Sequence, residues 1–371
     1  MGLAERLDGK RVVICAGSGG VGKTTTSAAL AMGLAASGKR VAVVTIDPAR
    51  RLADSLGLEE LGNEPRLVDP ERFAGHGIEM RGELWAMMLD AKRTFDELIE
   101  RLAPDEKTRD EVLANRIYQE LSSAVAGSQE FTAIAKLYDL DRSGDYDVLV
   151  LDTPPSRNAL DFLDAPDRLT GFLEGRALRV FLAPTGLAAR VMGRGTSVVF
   201  SVLRRVTGVD LLEDLSVFFR ALGGLVDGFR ERATGVKKLL ADPATTFLVV
   251  TSPERDPVEE AIFFHGKLRE AGMPFGALIV NRVQVDLVGG DPDAAAAELE
   301  PELGPELTAK VAETLRELRV LADRDQASIA RLIDELDEPE PVVVPLLEGD
   351  VHDVDGLAAV HEHLFGARAA A

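Results

Sequence analysis

Short, mostly apolar runs alternate along this chain with longer stretches of helical periodicity. The runs fall at 11–16, 41–46, 147–151, 246–251, 276–280 and 342–344. They are too short for helices and lack polar alternation, which is the pattern of strands buried on both faces. Strands of that kind separated by helices predict an α/β fold with a doubly wound, mostly parallel sheet. The second and third runs are about a hundred residues apart, too far for one crossover connection. A helical subdomain is therefore expected as an insertion at about 91–140, continuing at about 165–240. Within it Phe95, Leu98, Ile99 and Leu102 recur at i, i+3, i+4 and i+7, one apolar helix face. An acidic, Ala-rich insertion occupies about 286–340, with helical patterning from Leu303 to Leu336. With no internal repeat, the expectation is one domain, 1–371, carrying these insertions.

The connection after the first run carries the chemistry. Gly17 to Thr24 read GSGGVGKT, a complete G-x-x-x-x-G-K-[ST] loop between Val12–Cys15 and the helix-forming stretch Thr25–Ala36. In such a loop consecutive backbone N–H groups, here from Gly19, Gly20, Val21, Gly22, Lys23, Thr24 and Thr25, face the phosphates of a nucleotide. The following helix adds its positive dipole end. Lys23 neutralises phosphate charge and the Thr24 hydroxyl is a ligand for Mg²⁺. Gly17, Gly19 and Gly22 also spell G-x-G-x-x-G, but a dinucleotide turn needs neither Lys23-Thr24 nor a second magnesium-side acid. Asp152, closing the run Val148–Leu151, is that acid; its alternative is a turn cap before Pro154-Pro155. Asp47 ends the run Val41–Ile46. It reads either as the carboxylate that orients attacking water or as the cap of a helix at Arg50–Leu56 with Pro48 at its first position.

Four segments in order, GSGGVGKTTT, TIDPARRLADSLG, LWAMMLDAKRTFDELI and DTPPSRNALDFLDAP, resemble the ArsA family of ATPases. The resemblance covers most of 10–285 and the last thirty residues. It implies a P-loop nucleoside triphosphatase of the SIMIBI type, ATP and Mg²⁺ as cofactors, and a dimer. It also implies Asp47 as the catalytic water-activating acid alongside Lys23, and Asp152 at the start of the second switch. Asn281 in LIVNRV matches the residue that contacts adenine, and Pro345 and Leu346 match the loop that covers the base. The family includes the arsenite-pump ATPase and the ATPase that delivers tail-anchored membrane proteins, so a hydrophobic membrane-protein client is implied as well. One departure matters: the family's lysine at the second loop position, which reaches the partner's phosphates, is Ser18 here, similar to an actinobacterial subset of the family. Either Arg50 or Arg157 replaces that cation in a homodimer, or the chain forms a heterodimer with an ArsA-like paralogue that keeps the lysine.

Composition removes several alternatives. The 371 residues carry a net charge of −20, a surface that repels nucleic acid. The start, MGLAERLDGK, has no hydrophobic signal region, which predicts a cytoplasmic protein. Cys15 is the only cysteine, against the three that the resemblance requires for an arsenite site and the C-x-x-C pair of a zinc-bridged dimer, so no zinc is expected. Residues 171–208 stand apart, with Arg176, Arg179, Arg190, Arg194, Arg204 and Arg205 against the single acid Glu174 in a dense apolar background. This segment reads as a client groove rimmed by arginine or as a packed helical subdomain. Two functions follow: an ATPase that captures a hydrophobic client, or a regulatory, pump-associated ATPase subunit without one.

Overall fold

A computed structural model describes residues 2–47, 50–116, 118–119, 128–153, 223, 225–338, 340–349, 351 and 353–366. The Arg-rich segment 171–208, Arg157, Pro48 and Pro154-Pro155 lie outside the described residues. The chain divides into two compact units, one from Met1–Met88, Ser143–Ala159 and Leu240–Ala371, the other from Leu89–Arg142 and Leu160–Leu239.

The first unit is built on an eight-stranded sheet. Its strands are β1 (Val12–Ala16), β2 (Arg40–Thr45), β3 (Arg66–Leu67), β4 (Glu83–Met88), β5 (Val148–Asp152), β6 (Thr245–Thr251), β7 (Phe275–Val283) and β8 (Val342–Pro345). They lie in the order β3-β4-β2-β5-β1-β6-β7-β8. Every pair is parallel except β3 with β4. All six predicted runs are strands, and β1, β5 and β6 are buried along their whole length, as their unbroken apolar character requires. The sequence reading missed β3, only two residues long, and β4, although Leu84 to Met88 is an unbroken apolar run.

Helices cover both faces. One layer contains α1 (Leu3–Arg6), α2 (Lys23–Ala36), α3 (Arg51–Ser55) and α4 (Glu71–Ala74), with α13 (Val354–Phe365) packed against α2. Val13, Cys15, Val43, Val150, Leu248 and Ile279 point into this layer and share its core with Leu30 and Leu357. On the opposite face α9 (Arg255–Ala271) packs on β6 and β7, with Phe247 edge-on to Phe264 at 6.4 Å between ring centres. The acidic insertion forms α10 (Pro292–Ala297), α11 (Glu300–Leu303) and the 32-residue α12 (Pro305–Leu336), which packs against α9. Gly304 and Pro305 start α12 and left-handed Asp337 stops it, close to the boundaries read from its periodicity.

The second unit, among the described residues, is helical: α5 (Ala91–Leu102), α6 (Glu106–Leu113), α7 (Ser128–Ser143) and α8 (Val226–Leu240). The Asp90 carboxylate caps α5 by accepting from the Arg93 N–H at 2.8 Å. Leu98 and Ile99 are buried as their spacing predicts, and the Phe95 ring stacks on Tyr118 and Phe229. No helix among the described residues is long and apolar enough to cross a membrane.

Candidate functional site

The parallel sheet sends the connections after β1, β2 and β5 to one edge, and these three strands are neighbours. That edge, beside the first strand, is where ligands bind in open α/β sheets. The loop after β1 cannot be built without glycine. Gly17 has φ +156°, and a Cβ there would meet the Val250 carbonyl oxygen at 1.9 Å. Gly22, the residue before α2, has φ +90°, a left-handed conformation that side chains resist. Helix α2 begins at Lys23, so its unpaired first-turn N–H groups, those of Lys23, Thr24 and Thr25 among them, face the loop. Gly19 and Gly20 are exposed, whereas Val21 and Lys23 are buried.

Lys23 and Asp152 form the charged centre. The Lys23 ammonium donates to the Ser18 carbonyl at 2.7 Å. Burial pushes its pKa down, and Asp152 and Asp47 pull it back up, so the cation sits desolvated beside two acids. Asp152 is only 1% exposed. Its Oδ2 accepts the Thr24 hydroxyl at 2.7 Å and the Thr45 hydroxyl at 2.8 Å, while its Oδ1 is buried without a hydrogen-bond partner among the described residues. Burial raises the Asp152 pKa to about 6, against the opposing hydrogen bonds from Thr24 and Thr45. The carboxylate thus faces β2 and the loop. Thr45 was missed by sequence reasoning; the one signal was a hydroxyl interrupting an apolar run just before Asp47.

Asp47 is half-buried, and its N–H donates to the Thr45 hydroxyl at 3.2 Å. It lines a small cavity with Thr45, Arg50, Glu60, Leu61 and Met88. The capping alternative fails, because α3 starts at Arg51 and its cap position is Arg50. Arg50 itself is left-handed at φ +53°. A non-glycine residue in that region carries strain, which concentrates at working sites. Ser18 is 7% exposed, and its hydroxyl is buried without a partner among the described residues. Cys15 is fully buried, which pushes its thiol up to about 12 and leaves it inert.

The residues assigned to the base meet at the ends of β7 and β8. Val283 pairs with Pro345, and the Leu346 N–H donates to the Val283 carbonyl at 2.9 Å. The Asn281 side-chain amide donates to the Val21 carbonyl at 2.9 Å, so this end of the sheet touches the loop directly. Leu346 is 57% exposed.

These residues fit a magnesium nucleotide. A hard cation takes oxygen ligands. Thr24 donates its proton to Asp152 and keeps its lone pairs for a metal, and the partnerless Oδ1 of Asp152 is a buried acceptor of the kind a metal-bound water satisfies. The glycine cradle and Lys23 supply N–H groups and positive charge for phosphates.

Comparison with known proteins agrees with this geometry. The profile of the anion-transporting ATPase family matches residues 10–293. The chain is 30% identical over 281 residues to the putative arsenical pump-driving ATPase 1 of Aquifex aeolicus, covering 74% of this chain and 63% of that protein. It is 27% identical over 286 residues to the ATPase ASNA1 homolog of Cryptosporidium parvum, covering 75% of this chain and 67% of that protein. To the ATPase GET3 of Malassezia globosa it is 28% identical over 286 residues, 76% of each chain. The phosphate loop, the buried Lys23, the Asp152 cluster and a profile match across most of the sequence lead to one conclusion: the chain belongs to the anion-transporting ATPase family.

Proposed function

We propose that this chain is a Mg²⁺-dependent ATPase that works as a dimer and couples its nucleotide state to capture of a hydrophobic client or membrane-protein partner. The observation that carries the ATPase reading is the convergence of the Thr24 and Thr45 hydroxyls on buried Asp152, beside the desolvated Lys23 ammonium. Lys23 and the N–H groups of Gly19 to Thr25 hold the phosphates. Thr24 and Asp152 would hold the metal, the oxygen donors of a hard-cation site. Magnesium, when bound, neutralises charge on the transferred phosphoryl group. Asp47 accepts a proton from the attacking water or orients it, in a half-buried position two residues from Thr45. Asn281, Pro345 and Leu346 flank the base.

The same reading assigns client capture to the helical insertion at about 91–140 and 165–240. The name of one relative refers to an arsenical pump, and the lone Cys15 speaks against arsenite here. The charge of −20 and the single cysteine favour a cytoplasmic setting without nucleic acid or zinc. Ser18 supports a second reading, a regulatory or pump-associated subunit, the less active half of a heterodimer whose paralogue keeps the lysine; in a homodimer Arg50 or Arg157 takes over that charge. Turnover of Mg²⁺·ATP by the purified chain tests the assignment. Lys23→Ala is expected to weaken nucleotide binding by roughly a hundredfold, and Asp47→Asn to stop turnover while ADP still binds. Unchanged turnover in Asp47→Asn would sink the catalytic role of Asp47. Affinity purification of Asp47→Asn in Mg²⁺·ATP separates the dimers: a lysine-bearing paralogue supports the heterodimer, this chain alone the homodimer.

A further inference from the structure

The end of β7 is built to hold one side chain against the phosphate loop. Asn281 donates from Nδ2 to the Val21 carbonyl at 2.9 Å and accepts at Oδ1 from the Arg282 N–H at 3.0 Å. Both contacts demand the same orientation of the amide, so its donor end is fixed toward the loop. The fit is close, since a Cβ at Gly22 would lie 2.2 Å from Nδ2. Arg282, the next residue, is left-handed at φ +60°, and the β7–β8 register shifts between Val280 and Val283. A strained residue of this kind persists only where its surroundings over-determine it. Here they do. The Leu346 N–H donates to the Val283 carbonyl, and the Gln284 N–H donates to Oδ2 of Asp325 at 2.9 Å. Asp325 projects from α12, is 1% exposed, and takes Arg324 on its other oxygen at 2.8 Å.

A planar trans peptide points its C=O and N–H in opposite directions. The amide that draws the Val21 carbonyl out of the loop therefore turns the Gly22 N–H inward. Left-handed Gly22 is one of the N–H donors of the cradle, and a loop of this type binds anions through the direction of those bonds. We propose that Asn281, buttressed by Asp325 of the acidic insertion, is a positioning residue for the phosphate loop, in addition to any contact with the base. The proposal rests on the nucleotide reading above and gives the insertion that least resembles the family a task at the site.

Base-free inorganic tripolyphosphate with Mg²⁺, titrated calorimetrically against the full-length chain beside ADP, separates loop positioning from base contact. Asn281→Ala is expected to weaken both ligands by about tenfold, the worth of one hydrogen bond to a charged group. Asn281→Asp, equal in size but without the donor, is expected to do the same. Asp325→Ala weakens both severalfold, Asp325→Asn retains an acceptor for Gln284 and restores binding, and Asn281→Ala with Asp325→Ala binds no worse than Asn281→Ala alone. Loss of ADP affinity in folded Asn281→Ala and Asn281→Asp, with tripolyphosphate unchanged, overturns the proposal, because a base contact alone gives that result. Additive losses in the double variant overturn the part played by Asp325. If the parent chain binds neither ligand, the nucleotide reading itself fails and this role with it. Binding of ADP by the parent with equal tripolyphosphate affinity in all variants rejects only the positioning role.

Discussion

The sheet unit and the helical unit hold themselves together by different means. In the first, β1, β5 and β6 are buried end to end and the interior between sheet and helices is apolar. In the second, beside the aromatic stack of Phe95, Tyr118 and Phe229, charge reaches well inside: buried Lys136 pairs with Glu97 at 3.0 Å, and Arg232 pairs with Asp139, which exposed Arg101 also meets at 2.7 Å. The Arg232 side chain is only 10% exposed, lies over the Tyr138 ring and donates to the Ala135 carbonyl. Apolar packing gives a rigid frame around buried polar groups at the site, Lys23, Asp152 and Thr45 among them. Ion pairs give less net stability and depend on both partners being present. The rigid unit is the one that must hold atoms within hydrogen-bond distance for chemistry.

The contrast breaks most visibly where packing is removed from the frame. Leu149→Ala, in the middle of β5, is expected to cost about 2–5 kcal/mol and to lower the melting temperature of the ligand-free protein by roughly 5–15 °C. Asp139→Ala strands Arg232 without its carboxylate and is expected to cost about 1–3 kcal/mol. Hydrogen exchange read residue by residue should place that loss in α7 and α8 and leave β1, β5 and β6 as protected as before; uniform acceleration in both units would erase the distinction. The smallest effect is acid sensitivity in the frame. His265, buried edge-on to Phe275, has its pKa pushed down by burial and by Arg269, with Glu338 opposing. Folding therefore favours neutral imidazole. That contribution is complete above the unfolded value near ~6.5 and is lost as pH falls below it toward the depressed folded value. His265→Gln should remove about 1–2 °C of the melting-temperature drop between neutral and mildly acidic pH.

The frame was legible in the sequence because strands buried on both faces are mostly apolar, with only occasional threonines such as Thr45 and Thr245 among them. By the same rule β4 was visible in the apolar run Leu84 to Met88 and was overlooked. The charged centre was equally legible: Lys23, Thr24 and Asp152 sit in motifs whose spacing follows from the turn and strand that hold them, and the structure brings them together. Asp47 was left open between helix cap and water-orienting acid, and α3 takes Arg50 as its cap residue. An Asp-Pro pair ahead of a helical stretch looks like a start signal, but the chain reaches α3 through left-handed Arg50. Nothing in Asn281-Arg282-Val283 announces the bulge at the end of β7. Left-handed backbone is read from glycine, and here an arginine adopts it under constraint from Asp325, which is 43 residues farther along than Arg282.

The Asp152 cluster also bears on how the molecule is made. Its carboxylate takes one hydroxyl from 107 residues away and another from 128 residues away. Contacts that distant close late, because the chain entropy of bringing such segments together must be overcome before they form. The site is therefore complete only when β1, β2 and β5 are side by side, and a nucleotide that needs all three recognises finished chains alone. By mass action it would draw the folding equilibrium toward them as each copy matures.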